Sequence, residues 1–244
     1  MSWMFPRSSG IHAPETREWI LGALYLPVFL FFLNFAILTY FPALGFPLTE
    51  PRNYFFANLL YMTVNFAVML LIFRRTLWQS LREFEGKMLL SVLIGFGMCY
   101  GANLVLTTAY TVLDIMPENN QEAVNSLLGG YPLAMTLCTV VLAPLAEECL
   151  FRGVLFAPLA RRCLPAAYAL SMFLFAGMHV FQFLGSMTAA NTILCLSLYL
   201  PASFSLCWVY QKTGNIWACI FLHMFINFQS VLASLLRSLM QAFL

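Results

Sequence analysis

Six residues have the types and spacing to do chemistry: Glu147, Glu148, Arg152, His179, His223 and Asn227. The first three lie in Ala143–Arg162, APLAEECLFRGVLFAPLARR, a stretch otherwise apolar enough to sit in a bilayer. An ionised side chain at that depth costs several kcal/mol unless it is paired or functional. On a helix, Glu148 and Arg152 are four residues apart with the acid first, the favourable order for an ion pair. Glu147 is rotated about 100° away and has no such partner. One carboxylate is held and the other is free. A free carboxylate beside a neutralised neighbour, in a low-dielectric site, suits a general base or a metal ligand. Pro144 cannot donate to the carbonyl of Val140, so the helix is expected to kink or open just before the acids.

The elements that must position these groups follow from composition. The chain has 244 residues, 61% hydrophobic and 9% charged, whereas an ordinary soluble domain has about 25% charged residues. An all-α, polytopic integral membrane protein is therefore expected. Apolar runs predict seven spans, near Trp19–Tyr40, Tyr54–Phe73, Met88–Leu113, Pro132–Leu159, Leu164–Phe183, Asn191–Tyr210 and Ile216–Leu236, each close to the roughly 20 residues a crossing needs. Polar connections are short and no internal repeat is visible, so residues 1–244 read as a single membrane domain. Residues 1–18 form a polar arm, a basic loop RRTLWQSLREFEGK follows the second span, and Asp114–Gly130 is an acidic stretch without Lys or Arg.

Charge sets the expected orientation. Nine Lys and Arg fall on the side of the N-terminal arm and two, Arg52 and Arg237, on the other, which places the N-terminus in the cytoplasm and the C-terminus outside. The formal net charge of +2 comes without a basic patch, so nucleic acid is not an expected partner. Membrane lipid is. The seven cysteines mostly lie in apolar runs at no metal-type spacing and read as small buried hydrophobes. Cys149 is a nucleophile by type, but an apolar setting leaves thiols inert.

Two of the three histidines lie within predicted spans. His179 ends FAGMH one turn after Phe175, and His223 begins HMFIN one turn before Asn227. Glu147 is fourteen residues from Arg161, His179 seventeen from Arg162 and His223 eleven from Lys212. These counts are depths of roughly 16 to 26 Å from the cytoplasmic boundary, so three helices can meet in one layer near the bilayer middle. A lone His in a membrane helix more often makes a packing hydrogen bond. Their convergence with Glu and Asn favours a site.

The three motifs together, Glu147-Glu148-x-x-x-Arg152, Phe175-x-x-x-His179 and His223-x-x-x-Asn227, resemble those of the CPBP intramembrane proteases. That family includes the type II CAAX prenyl endopeptidases and the bacteriocin-processing or Abi-like proteins. The resemblance covers residues 132–229, which would be the catalytic helices; members of the family often have eight spans, so seven or eight are expected here. It implies an endopeptidase acting on a membrane-embedded or prenylated, CAAX-like substrate in a bacterial plasma membrane. Glu147 would activate water, with His179 holding that water or a metal. His223 and Asn227 would face them as metal ligand and oxyanion stabiliser, or as an oxyanion hole alone, and Glu148 with Arg152 would orient the site. Glu147, His179 and His223 would form a His₂Glu set for zinc or another divalent ion, although H-E-x-x-H is absent. A non-proteolytic immunity or scaffold protein is the second reading. A proton- or metal-coupled transporter is the third, without the paired halves and broken helices expected of one.

Overall fold

Every described element is a helix, as lipid demands of a chain that must satisfy its own backbone within each crossing segment. The computed structural model describes residues 14–115, 117, 129–181 and 187–242. Residues 1–13 of the arm, most of the acidic stretch and the end of the fifth span lie outside the described residues. The helices are α1 (Thr16–Ala43), α2 (Pro51–Ile72), α3 (Arg74–Arg82), α4 (Met88–Val112), α5 (Pro132–Ala160), α6 (Leu164–Val180), α7 (Ala189–Thr213) and α8 (Ile216–Ala242). Six of them are long and apolar enough to cross a membrane, and α6 is a shorter apolar helix. The seven expected spans are thus α1, α2 and α4 to α8.

At the centre stands α5. Pro144 to Val154 are all buried, which suits a segment apolar around its whole circumference apart from the motif residues. The stretch carrying the acids packs against α2 and α8, while α7 packs on α4, α6 and α8. At the base of the bundle the buried Phe73 ring fills a slot whose floor is two glycines. A Cβ on Gly22 would come within 3.0 Å of that ring and one on Gly153 within 2.8 Å.

Among the described residues three stretches widen into π-type turns: Val28–Phe32 in α1, and Cys138–Leu142 and Cys149–Phe156 in α5. Such turns free backbone carbonyls, and in lipid a freed carbonyl needs a donor from elsewhere. In α1 the Leu33 N–H reaches back to Val28, and the Phe29 carbonyl accepts from the Tyr61 hydroxyl of α2 at 2.9 Å. In α5 the Val154 carbonyl lies four residues before Pro158, which has no N–H to offer. It accepts from Trp19 Nε1 at 3.0 Å instead. Helix irregularity and side-chain donors are matched across the bundle. The expected opening beside Pro144 belongs to this pattern and is taken up with the site.

The basic loop after the second span is in fact mostly helix. Its residues repeat with helical period: Leu77 and Ser80 are buried while Arg74, Arg75, Trp78, Leu81 and Arg82 are exposed, so α3 is a short amphipathic helix. Glu18, assigned above to the polar arm, lies within α1 and is only 4% exposed. Its Oε1 accepts the backbone N–H of Arg75 (3.0 Å) and of Thr76 (3.2 Å), and its Oε2 accepts the Thr76 hydroxyl. A carboxylate from another helix therefore supplies the N-terminal cap that α3 lacks in its own sequence. The C-terminal half of α3 holds the start of α8: Asn215 Nδ2 donates to the Ser80 carbonyl at 2.6 Å, and Trp217 Nε1 to the Leu77 carbonyl at 2.7 Å.

Six cysteines are buried and one, Cys163 in the turn between α5 and α6, is exposed.

Candidate active site

The i,i+4 spacing of Glu148 and Arg152 becomes a direct ion pair, Nη1 to Oε1 at 3.1 Å, with both side chains fully buried. Two buried charges need more than each other, because desolvation otherwise outweighs their attraction. Arg152 Nη2 also donates to the Ser203 carbonyl (3.2 Å) and to Ser203 Oγ (3.3 Å) on α7. Its guanidinium lies over the Phe175 ring at 5.0 Å, a cation–π contact in a dry setting.

Phe175 is a hub. Its ring centroid is 4.7 Å from that of His179 and 5.6 Å from that of His223. His179 Nδ1 faces the Phe175 carbonyl at 2.8 Å, and its ring stacks on Tyr199 at 4.5 Å. His223 Nδ1 faces Glu148 Oε1 at 2.8 Å. The carboxylate accepts an N–H there, which fixes Nδ1 as the protonated nitrogen and aims Nε2 away. Nε2 comes within 3.9 Å of Glu147 Oε2. That is too long for a hydrogen bond, yet one water beside the pair could touch both atoms at about 2.8 Å.

Glu147 is the unpaired acid that its rotation from Arg152 predicts. Its side chain retains 12% exposure, and its Oε2 is buried without a hydrogen-bond partner. Asn227 is turned elsewhere. Its Nδ2 donates to the Thr139 carbonyl at 2.8 Å, within the π-type turn of α5.

The structure therefore joins Glu148, Arg152 and His223 in one network with Glu147 beside it, sets His179 against Phe175 and Tyr199 at its side, and ties Asn227 to the backbone two turns before the acids. Residues 129–229 match the sequence model of a family described as type II CAAX prenyl endopeptidase Rce1-like. Over this segment the chain is similar to that family. The segment coincides with the stretch 132–229 over which the three motifs resemble that family. A further similarity is to the "Putative membrane peptidase YdiL" of Bacillus subtilis (strain 168), 28% identical over 166 residues. The matched region covers 66% of this chain and 64% of that relative's length. No solved structure matches the chain.

Within residues 129–229 the donor types for a zinc ion are present, but they do not converge. Among the described residues no group of three or more His, Cys, Asp or Glu side chains is placed to hold a metal ion. Of the three candidate ligands, Glu147 and His223 approach each other, and among the described residues no ion pair links Glu147 with His179. The arrangement as it stands does not fit a three-ligand site.

Sequence reasoning missed Ser203, Tyr199 and Thr139 as neighbours of the motif residues. Ser203 and Tyr199 stand out only as polar residues in an apolar span, Tyr199-Leu200-Pro201-Ala202-Ser203, a weak signal. Nothing local marks Thr139. An apolar cavity of about 250 Å³, lined by Leu30, Phe31, Leu174, Gly177, Met178 and Leu196 among others, opens between α1 and α6, the helix that carries His179.

Proposed function

We propose that this chain is an intramembrane endopeptidase that hydrolyses a peptide bond of a membrane-embedded or lipidated, CAAX-like substrate. The observation that carries the reading is Glu147 Oε2: a buried carboxylate oxygen with no hydrogen-bond partner, next to a second acid whose charge Arg152 neutralises. Such an oxygen is poised to accept a proton. Water touching Glu147 and His223 Nε2 would lose a proton to Glu147 as its oxygen attacks the scissile carbonyl. The C–N bond then breaks, and Glu147 returns the proton to the leaving amine. Glu148 holds His223 in one tautomer and Arg152 holds Glu148. His179, stacked on Tyr199, would orient the water or the scissile carbonyl. The cavity between α1 and α6 would lodge an apolar part of the substrate, which reaches the site from the cytoplasmic face of a bacterial plasma membrane.

The test is cleavage of a prenylated CAAX peptide and of a single-span model peptide by the purified chain in lipid vesicles. Each is run with and without a chelator, beside Glu147→Gln. Cleavage of either peptide that disappears in the variant is the expected result. Loss of activity on chelation would assign the water to a metal. No cleavage of any membrane peptide would favour a non-proteolytic scaffold.

A further inference from the structure

We propose that Asn227 is a positioning residue that replaces a backbone donor removed by Pro144, and so holds the Glu147 helix against the His223 helix. In the π-type turn before the acids, the Ala143 N–H bonds the Cys138 carbonyl, five residues back. The Thr139 carbonyl has therefore lost its usual donor, four residues ahead. In the wider register its next donor would be residue 144. That residue is proline, which has no N–H. Asn227 Nδ2 donates to this same oxygen at 2.8 Å, across 88 residues of sequence.

The consequence is geometric. His223 lies one turn before Asn227 on α8, and Glu147 lies two turns after Thr139 on α5, so this bond staples the two helices beside the 3.9 Å approach of Glu147 to His223. That bond uses one of the two N–H groups of the Asn227 amide and fixes the direction of the other. Its role is to fix the register of the opened helix from which Glu147 projects. Pro144 and Asn227 act as a pair: the first creates the vacancy and the second fills it. The same device appears where Trp19 serves the Val154 carbonyl ahead of Pro158.

The pairing predicts a rescue. In Pro144→Ala a backbone N–H returns to the Thr139 carbonyl, which can accept two hydrogen bonds, so the demand on Asn227 falls. A four-protein cycle of wild type, Pro144→Ala, Asn227→Ala and the double variant separates this role from transition-state contact. The kinetic arm rests on the proposed hydrolysis; the thermal arm does not. With Pro144 present, Asn227→Ala is expected to lower kcat about tenfold at unchanged KM, and Tm by about 3 to 6 °C. In the Pro144→Ala background both losses should shrink to less than about half. Equal losses in the two backgrounds would overturn the proposal, because the loss would then not depend on the vacancy at the Thr139 carbonyl. If Asn227→Ala yields no folded protein, recovery of folded protein in the double variant is the supporting result. Its absence is then the refuting one. Should the wild-type chain cleave nothing, the Tm cycle alone decides the pairing, and the failure belongs to the proposed reaction.

Discussion

Glu147→Gln is expected to lose hydrolysis by about 10²- to 10⁴-fold, the range typical of removing a general base, while the protein folds and melts like wild type. The two halves of that expectation rest on different observations. Glutamine keeps the shape of the side chain but cannot take a proton from water. Stability should hold because Glu147 Oε2 has no hydrogen-bond partner to lose and His223 Nε2 is 3.9 Å away, beyond hydrogen-bond reach. Removing a buried, unpaired carboxylate relieves desolvation, so Tm should stay or rise. Activity near the wild-type value in a properly folded Glu147→Gln would exclude Glu147 as the base. Its complement, Glu148→Gln, should behave differently, since Glu148 Oε1 faces both Arg152 Nη1 and His223 Nδ1.

Arg152→Ala should do the opposite, and damage folding before chemistry. Its guanidinium is fully buried and bonded to Glu148 and Ser203, so its loss strands a buried carboxylate. Breaking a buried pair from one side costs about 3 to 5 kcal/mol, a fall in Tm on the order of 10 °C. A paired replacement sharpens the test. Removing both charges, as in Arg152→Met with Glu148→Leu, should recover much of the lost stability, because no ion is left uncompensated. Activity should not recover, since His223 Nδ1 would lose the acceptor that orients it. If the single variant melts at the wild-type temperature, the pair has no structural role. If the double variant is no better than the single, the cost lies in packing against Phe175 and not in the stranded charge.

The features legible in the sequence are those set by short-range periodicity. Glu148 and Arg152 are four residues apart, and helical geometry alone predicts their contact. The seven spans follow from apolar length, and the opening of α5 from Pro144. The misreadings have physical causes too. In sequence α3 reads as a loop because its charge hides a helical repeat that buries Leu77 and Ser80. Glu18 reads as part of a solvated arm because nothing local shows that it caps a helix nearly sixty residues onward. The partners of His223 and Asn227 depend on which helices cross and on the backbone register of α5. A motif names residue types at one helical spacing and is silent on both. That is why Asn227 can be assigned to an oxyanion while its amide serves the Thr139 carbonyl.

The distribution of thiols gives the native chain a built-in reporter of its own orientation. Cys163 follows Arg161 and Arg162 in the turn between α5 and α6 and is the one exposed cysteine; Cys99, Cys138, Cys149, Cys195, Cys207 and Cys219 are enclosed by the bundle. A membrane-impermeant maleimide applied to sealed vesicles should therefore tag a single site on one face, with no engineered cysteine and none removed. Tagging only from the cytoplasmic face would fix the direction in which the helices run. The same reagent in denaturant should reach all seven thiols, so the mass added per chain counts folded against unfolded molecules for every variant named above.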